Sequence, residues 1–127
     1  MIAAKELRLG NWINVKYNDG VKPCRISNSL LADLLINDKF EISRKDCSPI
    51  PLTDDILLNK CGGRFMEEHN CFVFTWGRNG AYFLKYREYY KGYGMEFGKG
   101  YEKIIFNLHH FQNLFYDHSE VELKIKL

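Results

Sequence analysis

Apolar and polar residues alternate along Trp12-Ile13-Asn14-Val15-Lys16-Tyr17, which places Ile13, Val15 and Tyr17 on one face of a strand. Asn18-Asp19-Gly20 follows, and Asp-Gly supplies the positive φ angles of a tight hairpin turn, so a second strand is expected to begin near Val21. Pro23 sends that strand to a sheet edge, because proline has no N–H to give to a ladder. Leu30 to Ile36 fits either a strand or a short helix. The Asn37-Asp38 that follows, and renewed alternation in Phe40-Glu41-Ile42-Ser43, favour a strand there.

The pattern changes at Pro49-Ile50-Pro51-Leu52-Thr53-Asp54-Asp55. Thr53 is a good N-cap, Asp54 and Asp55 suit the positive end of a helix dipole, and Ile56, Leu57 and Leu58 give an apolar face. Gly62-Gly63 ends the segment, so a helix is predicted over about 54–61. Strand character returns in Cys71-Phe72-Val73-Phe74-Thr75-Trp76, with Arg78-Asn79-Gly80 as a hairpin turn and Ala81 to Arg87 as the partner strand. Glycine-punctuated aromatic residues run from Tyr89 to Tyr101, and Glu102 to Phe106 reads as a further strand. Asn107 can cap a last helix that carries Leu108, Phe111, Leu114 and Phe115 at helical spacing. Val121, Leu123 and Ile125 then alternate with Glu122, Lys124 and Lys126, as a terminal strand would.

These elements predict an α+β fold in a single domain spanning 1–127. Its parts are a small N-terminal β-barrel-like or meander unit (7–46), a short linking helix, and an antiparallel sheet with a C-terminal helix and terminal strand (65–127). The composition is that of an ordinary globular chain, with 46% hydrophobic and 27% charged residues. A net charge of +2, from 18 basic and 16 acidic side chains, is too balanced for gripping duplex DNA by bulk electrostatics. The opening residues hold no apolar secretory stretch and no run is long enough to span a bilayer, which points to the cytoplasm. Cys24, Cys47, Cys61 and Cys71 lack C-x-x-C or zinc-type spacing, so buried or half-buried free thiols are expected.

Three ordered stretches carry a resemblance. They are Glu6-Leu7-Arg8-Leu9-Gly10-Asn11-Trp12; Pro49-Ile50-Pro51-Leu52-Thr53 with Ile56-Leu57-Leu58 and Cys61-Gly62; and Leu108-His109-His110-Phe111-Gln112-Asn113-Leu114-Phe115-Tyr116 with Glu120-Val121-Glu122-Leu123. Together they resemble a family of small proteins encoded by phages and prophages of Bacteroidota. The stretch from Tyr89 to Tyr101 departs from the shared pattern. The resemblance implies no catalytic or binding residues. It implies a genetic setting in which small non-enzymatic proteins bind and disable a host component such as a CRISPR effector, so an anti-CRISPR inhibitor is the expected role. A single-stranded nucleic-acid-binding accessory protein of phage replication or regulation is the alternative.

No catalytic constellation stands out. Asp54-Asp55 and Glu67-Glu68 are sequence neighbours, whose side chains point in different directions on a helix or strand. His109 and His110 open the last helix, and His118 falls about 80° round it from His110; no ligand-like partners accompany them, and surface histidines are expected. His69 and Cys71, two apart, lack a second ligand pair. The serines have no G-x-S-x-G setting. Gly92-Tyr93-Gly94 and Gly98-Lys99-Gly100 miss the P-loop and dinucleotide spacings, so tight turns or bulges are expected. No cofactor, metal site or membrane contact is predicted.

One stretch rises above this background: Lys85, Tyr86, Arg87, Tyr89, Tyr90, Lys91 and Tyr93, continued by Lys99 and Tyr101. Tyrosines stack on unpaired bases while lysine and arginine meet phosphates. They also serve protein interfaces as large, stiff, amphipathic anchors. A third reading is plain sheet surface, with rings packed and hydroxyls in water. A protein or ribonucleoprotein partner, with RNA as a possible direct contact, follows from the first two.

Overall fold

The computed structural model describes residues 7–31, 46–78, 80–96 and 101–127. They form an α+β fold with two antiparallel sheets and a C-terminal helix. The chain divides into two compact units, Met1–Pro51 with Asn107–Asn113, and Leu52–Phe106 with Leu114–Leu127.

In the first unit, β1 (Trp12–Tyr17) pairs with β2 (Gly20–Arg25) and with β3 (Cys47–Ser48), giving the order β2-β1-β3. β2 is an edge, as Pro23 requires, and Tyr17 pairs with Gly20 across the Asn18-Asp19 turn. The described sheet is open, not barrel-like. Ile13, Val15, Ile26 and Cys47 form its buried cluster, with Leu7, Cys24, Leu30 and Leu31 packed against it. Residues 28–31 are helical, against the strand expected from residue 30. Ser27 explains the difference: its hydroxyl accepts a hydrogen bond from the Leu30 N–H, and its carbonyl accepts one from the Leu31 N–H. That is the N-cap arrangement of a helical turn. Residues 32–36 and the expected strand at 40–43 lie outside the described residues.

The same unit holds the start of α1 (Leu108–Ser119). Asn107 caps it, accepting the His110 N–H on its side-chain oxygen. Gln112 is buried, takes the Trp12 N–H on Oε1 at 2.8 Å and gives Nε2–H to the Gly10 carbonyl at 3.0 Å. Asn113 Oδ1 accepts from both Arg8 Nε and Asn11 Nδ2. The Ile50 carbonyl accepts the Leu108 N–H. The opening and closing motifs of the sequence thus interlock through polar side chains that backbone groups need as partners.

In the second unit, β4 (Arg64–Met66), β5 (Cys71–Trp76), β6 (Gly80–Arg87), β7 (Gly92–Glu96) and β8 (Glu102–Ile105) follow one another in an antiparallel meander. Gly92 and Gly94 therefore sit in a strand, where tight turns or bulges were expected. The inner face of the sheet buries Phe72, Phe74, Tyr82, Leu84, Tyr93, Met95 and Ile105. The Phe115 ring meets Tyr82 edge-on at 5.4 Å between centroids. Thr53 caps the linking helix as expected, its Oγ1 accepting the Ile56 N–H at 3.1 Å. Residues Ile56–Lys60 wind as a π-helix, with the Cys61 N–H bonded to the Ile56 carbonyl, five residues back.

No terminal strand forms over 121–127. The alternation is present, but one backbone bond, from Lys126 N–H to the Lys60 carbonyl, takes the place of a ladder. On the alternating face Val121 is exposed, while Leu123 and Ile125 are half-buried without strand pairing.

Candidate binding surface

Strands β6 and β7 are joined by the four-residue turn 88–91. The Tyr90 N–H bonds the Arg87 carbonyl at 3.1 Å and the Lys91 N–H bonds the Glu88 carbonyl at 3.2 Å. Lys91 closes the turn at φ 53°. The β4–β5 turn has the same design, with Asn70 at φ 51° and its N–H on the Glu67 carbonyl. Asparagine tolerates this left-handed conformation far better than lysine does. The turn holds Tyr89 out to 89% exposure and Tyr90 to 55%, their rings edge-to-face at 5.0 Å.

Side chains behind the turn fall on opposite faces of the sheet. Tyr86 and Tyr93 pair across β6 and β7 on the inner face, with ring centroids 5.3 Å apart. Tyr86 stays exposed, whereas Tyr93 is only 4% exposed and its hydroxyl donates to Asp54. Burial, then the bond to Asp54, push the Tyr93 phenol well above its ordinary pKa. Tyr93 is thus a core residue and leaves the set of candidate surface anchors. Asp54, expected only to favour the helix dipole, also receives this tyrosine.

The outer face contributes a residue that lay outside the candidate set. The Phe106 ring lies over Gly92, 2.8 Å from where a Cβ would stand, and is itself exposed. The β7–β8 register, with Tyr93 opposite Ile105, carries Phe106 back to the 88–91 turn. The same register takes Tyr101 away. Glu102 pairs with Glu96 at the other end of β7, so Tyr101 stands five residues, about 17 Å, along the chain from Phe106. Lys99 lies outside the described residues. Nearness in sequence grouped Tyr101 with Tyr89; strand pairing separates them.

Charge around the turn is largely compensated. Arg87 grips Glu102 through Nε at 2.8 Å and Nη2 at 2.6 Å, a bidentate pair. That pairing holds the Glu102 carboxyl below its ordinary pKa and raises the Arg87 guanidinium. Glu88 adds a carboxylate within the turn. Lys85 and Lys91 are exposed and have no ion pair among the described residues.

Burial pushes the Cys71 thiol up in pKa and the Cys61 thiol up to about 12, so both stay protonated at neutral pH. Cys47 is buried with a raised pKa too, and Cys24 is half-buried. No group of three or more His, Cys, Asp or Glu side chains among the described residues is placed to hold a metal ion. His109, expected at the surface, is buried beside the His110 ring at 4.4 Å, because Leu108, His109, Phe111 and Gln112 all turn inward at the start of α1. No helix among the described residues is long and apolar enough to cross a membrane. Comparison with known protein families, curated proteins and solved structures finds no match for the chain.

Proposed function

We propose that this chain is a non-enzymatic binding protein that docks on a protein partner, alone or within a ribonucleoprotein, through the turn 88–91. Tyr89 and Tyr90 are its anchors, with Tyr86, Lys91 and Phe106 around them. The observation that carries the reading is Tyr89, 89% exposed on a turn that two backbone hydrogen bonds and a paired strand end hold in place. A large apolar ring held in water by a rigid turn loses little conformational freedom on docking, which is what an interface anchor needs.

Electrostatics favours protein over bare RNA. The Arg87 guanidinium is already committed to Glu102, and Glu88 beside the tyrosines offsets one of the two exposed lysines, Lys85 and Lys91, so a phosphate chain would meet little net positive charge. The finer reading, inhibition of a host defence factor such as a CRISPR effector, rests on the three-motif resemblance. The test is affinity capture from the native host, scored for protein and for RNA, with and without nuclease treatment. A protein held by the parent and lost with Tyr89→Ala plus Tyr90→Ala supports the proposal, and a defence nuclease would support its finer form. RNA retained without protein, and lost when Lys85 and Lys91 are changed to Glu, would overturn it in favour of nucleic-acid binding.

A further inference from the structure

The outer face of the five-stranded sheet holds a hollow of about 390 Å³ lined by His69, Cys71, Phe83, Lys85, Arg87, Gly94, Glu96 and Glu102. Its origin is a gap in side-chain volume. Lys85 pairs with Gly94, and β5 begins beside it with Cys71, so the middle of this face has one long side chain flanked by a short one and none. The Glu102 carboxylate lies over Gly94, with Oε1 1.8 Å from where a Cβ would stand, and from there reaches Arg87. Glycine at 94 leaves room for that closed Arg87–Glu102 wall, and a side chain there would make the Glu102 carboxylate shift.

Inside the wall the charges are arranged differently. Lys85 and Glu96 both line the hollow and make no direct hydrogen bond or ion pair among the described residues, although the Lys85 charge reaches Glu102 and the Glu96 charge reaches Arg87. They are diagonal neighbours, since Lys85 pairs with Gly94 and Phe83 with Glu96, a separation long side chains can bridge. They do not bridge it, although Arg87 and Glu102 close beside them. The Lys85 charge lowers and the Glu96 charge raises the Cys71 pKa, so both reach the same floor residue from opposite sides of the balance. Phe83, partly exposed, offers an apolar wall next to them.

We infer that this hollow binds a small zwitterion of the α-amino acid class, with Lys85 taking the carboxylate, Glu96 the ammonium, and Phe83 the apolar side chain. A cation and an anion on one concave surface, with no direct salt bridge to either among the described residues, match a ligand that carries both charges, and a singly charged ligand leaves one of them unused. The site is separate from the Tyr89–Tyr90 turn and does not depend on the partner proposed for it.

The test is an amide-shift titration of the intact protein with L-phenylalanine and L-leucine, and with N-acetyl-L-phenylalanine and L-phenylalaninamide, each of which lacks one charge. Saturable shifts at Cys71, Lys85 and Gly94 are expected from the free amino acids. Affinity should fall about tenfold or more with either blocked form, and likewise for Lys85→Gln and Glu96→Gln. Tyr89→Ala should leave the titration unchanged, and Lys85→Gln, on an exposed side chain, should keep the parent's circular dichroism. The inference is overturned if neither amino acid gives saturable shifts up to about 10 mM, or if blocked forms bind as tightly as free ones.

Discussion

Gln112 is buried and serves two backbone groups at once. Changing it to Ala leaves the Trp12 N–H and the Gly10 carbonyl without partners, at about 1–3 kcal/mol for each group left buried. A lowered urea midpoint checks this; an unchanged midpoint would show the groups find other partners. Thr53→Ala should cost about 0.5–2 kcal/mol, because the Ile56 N–H loses its acceptor at the start of the linking helix. Cys61 gives a pH prediction. Burial raises its pKa from an ordinary thiol value of 9.0 to about 12, so folding favours the protonated thiol. Its contribution is complete below the unfolded value and is lost as pH climbs through the folded one. Stability should therefore fall between about pH 9 and pH 12 more steeply in the parent than in Cys61→Ala, measured as the difference between their denaturation midpoints across that range. Equal slopes would contradict it.

At the scale of elements, the positive-φ residues are the informative ones. Lys91 sits at φ 53° and Glu120, just past the end of α1, at φ 59°, both in a region where side chains carry a cost of about 1–2 kcal/mol. Lys91→Gly should raise the melting temperature, offset in part by the greater freedom of glycine in the unfolded chain. Lys91→Ala, which keeps the strain, should not raise it. Much of the element order was legible. Alternation located β1, the strand character of Cys71 to Trp76 located β5, the Asp-Gly pair located the first hairpin turn, and Thr53 and Asn107 marked helix starts. β7 was hidden because glycine at 92 and 94 removes the outer half of its alternation and has low strand propensity. The terminal strand was a false reading for the opposite reason: Val121, Leu123 and Ile125 alternate, yet alternation describes one strand and says nothing about whether a neighbour supplies a ladder. Ser27 could have warned of the helical turn at 28–31, since a serine three residues ahead of an apolar pair is a capping signal.

For the whole molecule, the candidate surface was legible in its densest part and not at its edges. Tyr89, Tyr90 and Lys91 are neighbours in the chain and remain neighbours on one turn. Phe106 joins them only through the β7–β8 register, and Tyr101 leaves them for the same reason; neither fact is local in sequence. Tyr93 could not be told from its surface neighbours by type, because tyrosine serves equally in cores and interfaces. The bidentate Arg87–Glu102 pair spans fifteen residues of sequence, and it changes the electrostatic reading from basic to balanced. The central claim is that this balanced, aromatic turn meets a protein. Its most direct test is the affinity of the captured partner for the parent and for the Tyr89→Ala, Tyr90→Ala variant, each measured at low and high salt after equal melting temperatures have been verified. The account predicts a loss of at least about tenfold in the variant, with only a shallow salt dependence in the parent. Parent-like affinity in a correctly folded variant, or binding that collapses steeply with salt, would contradict it.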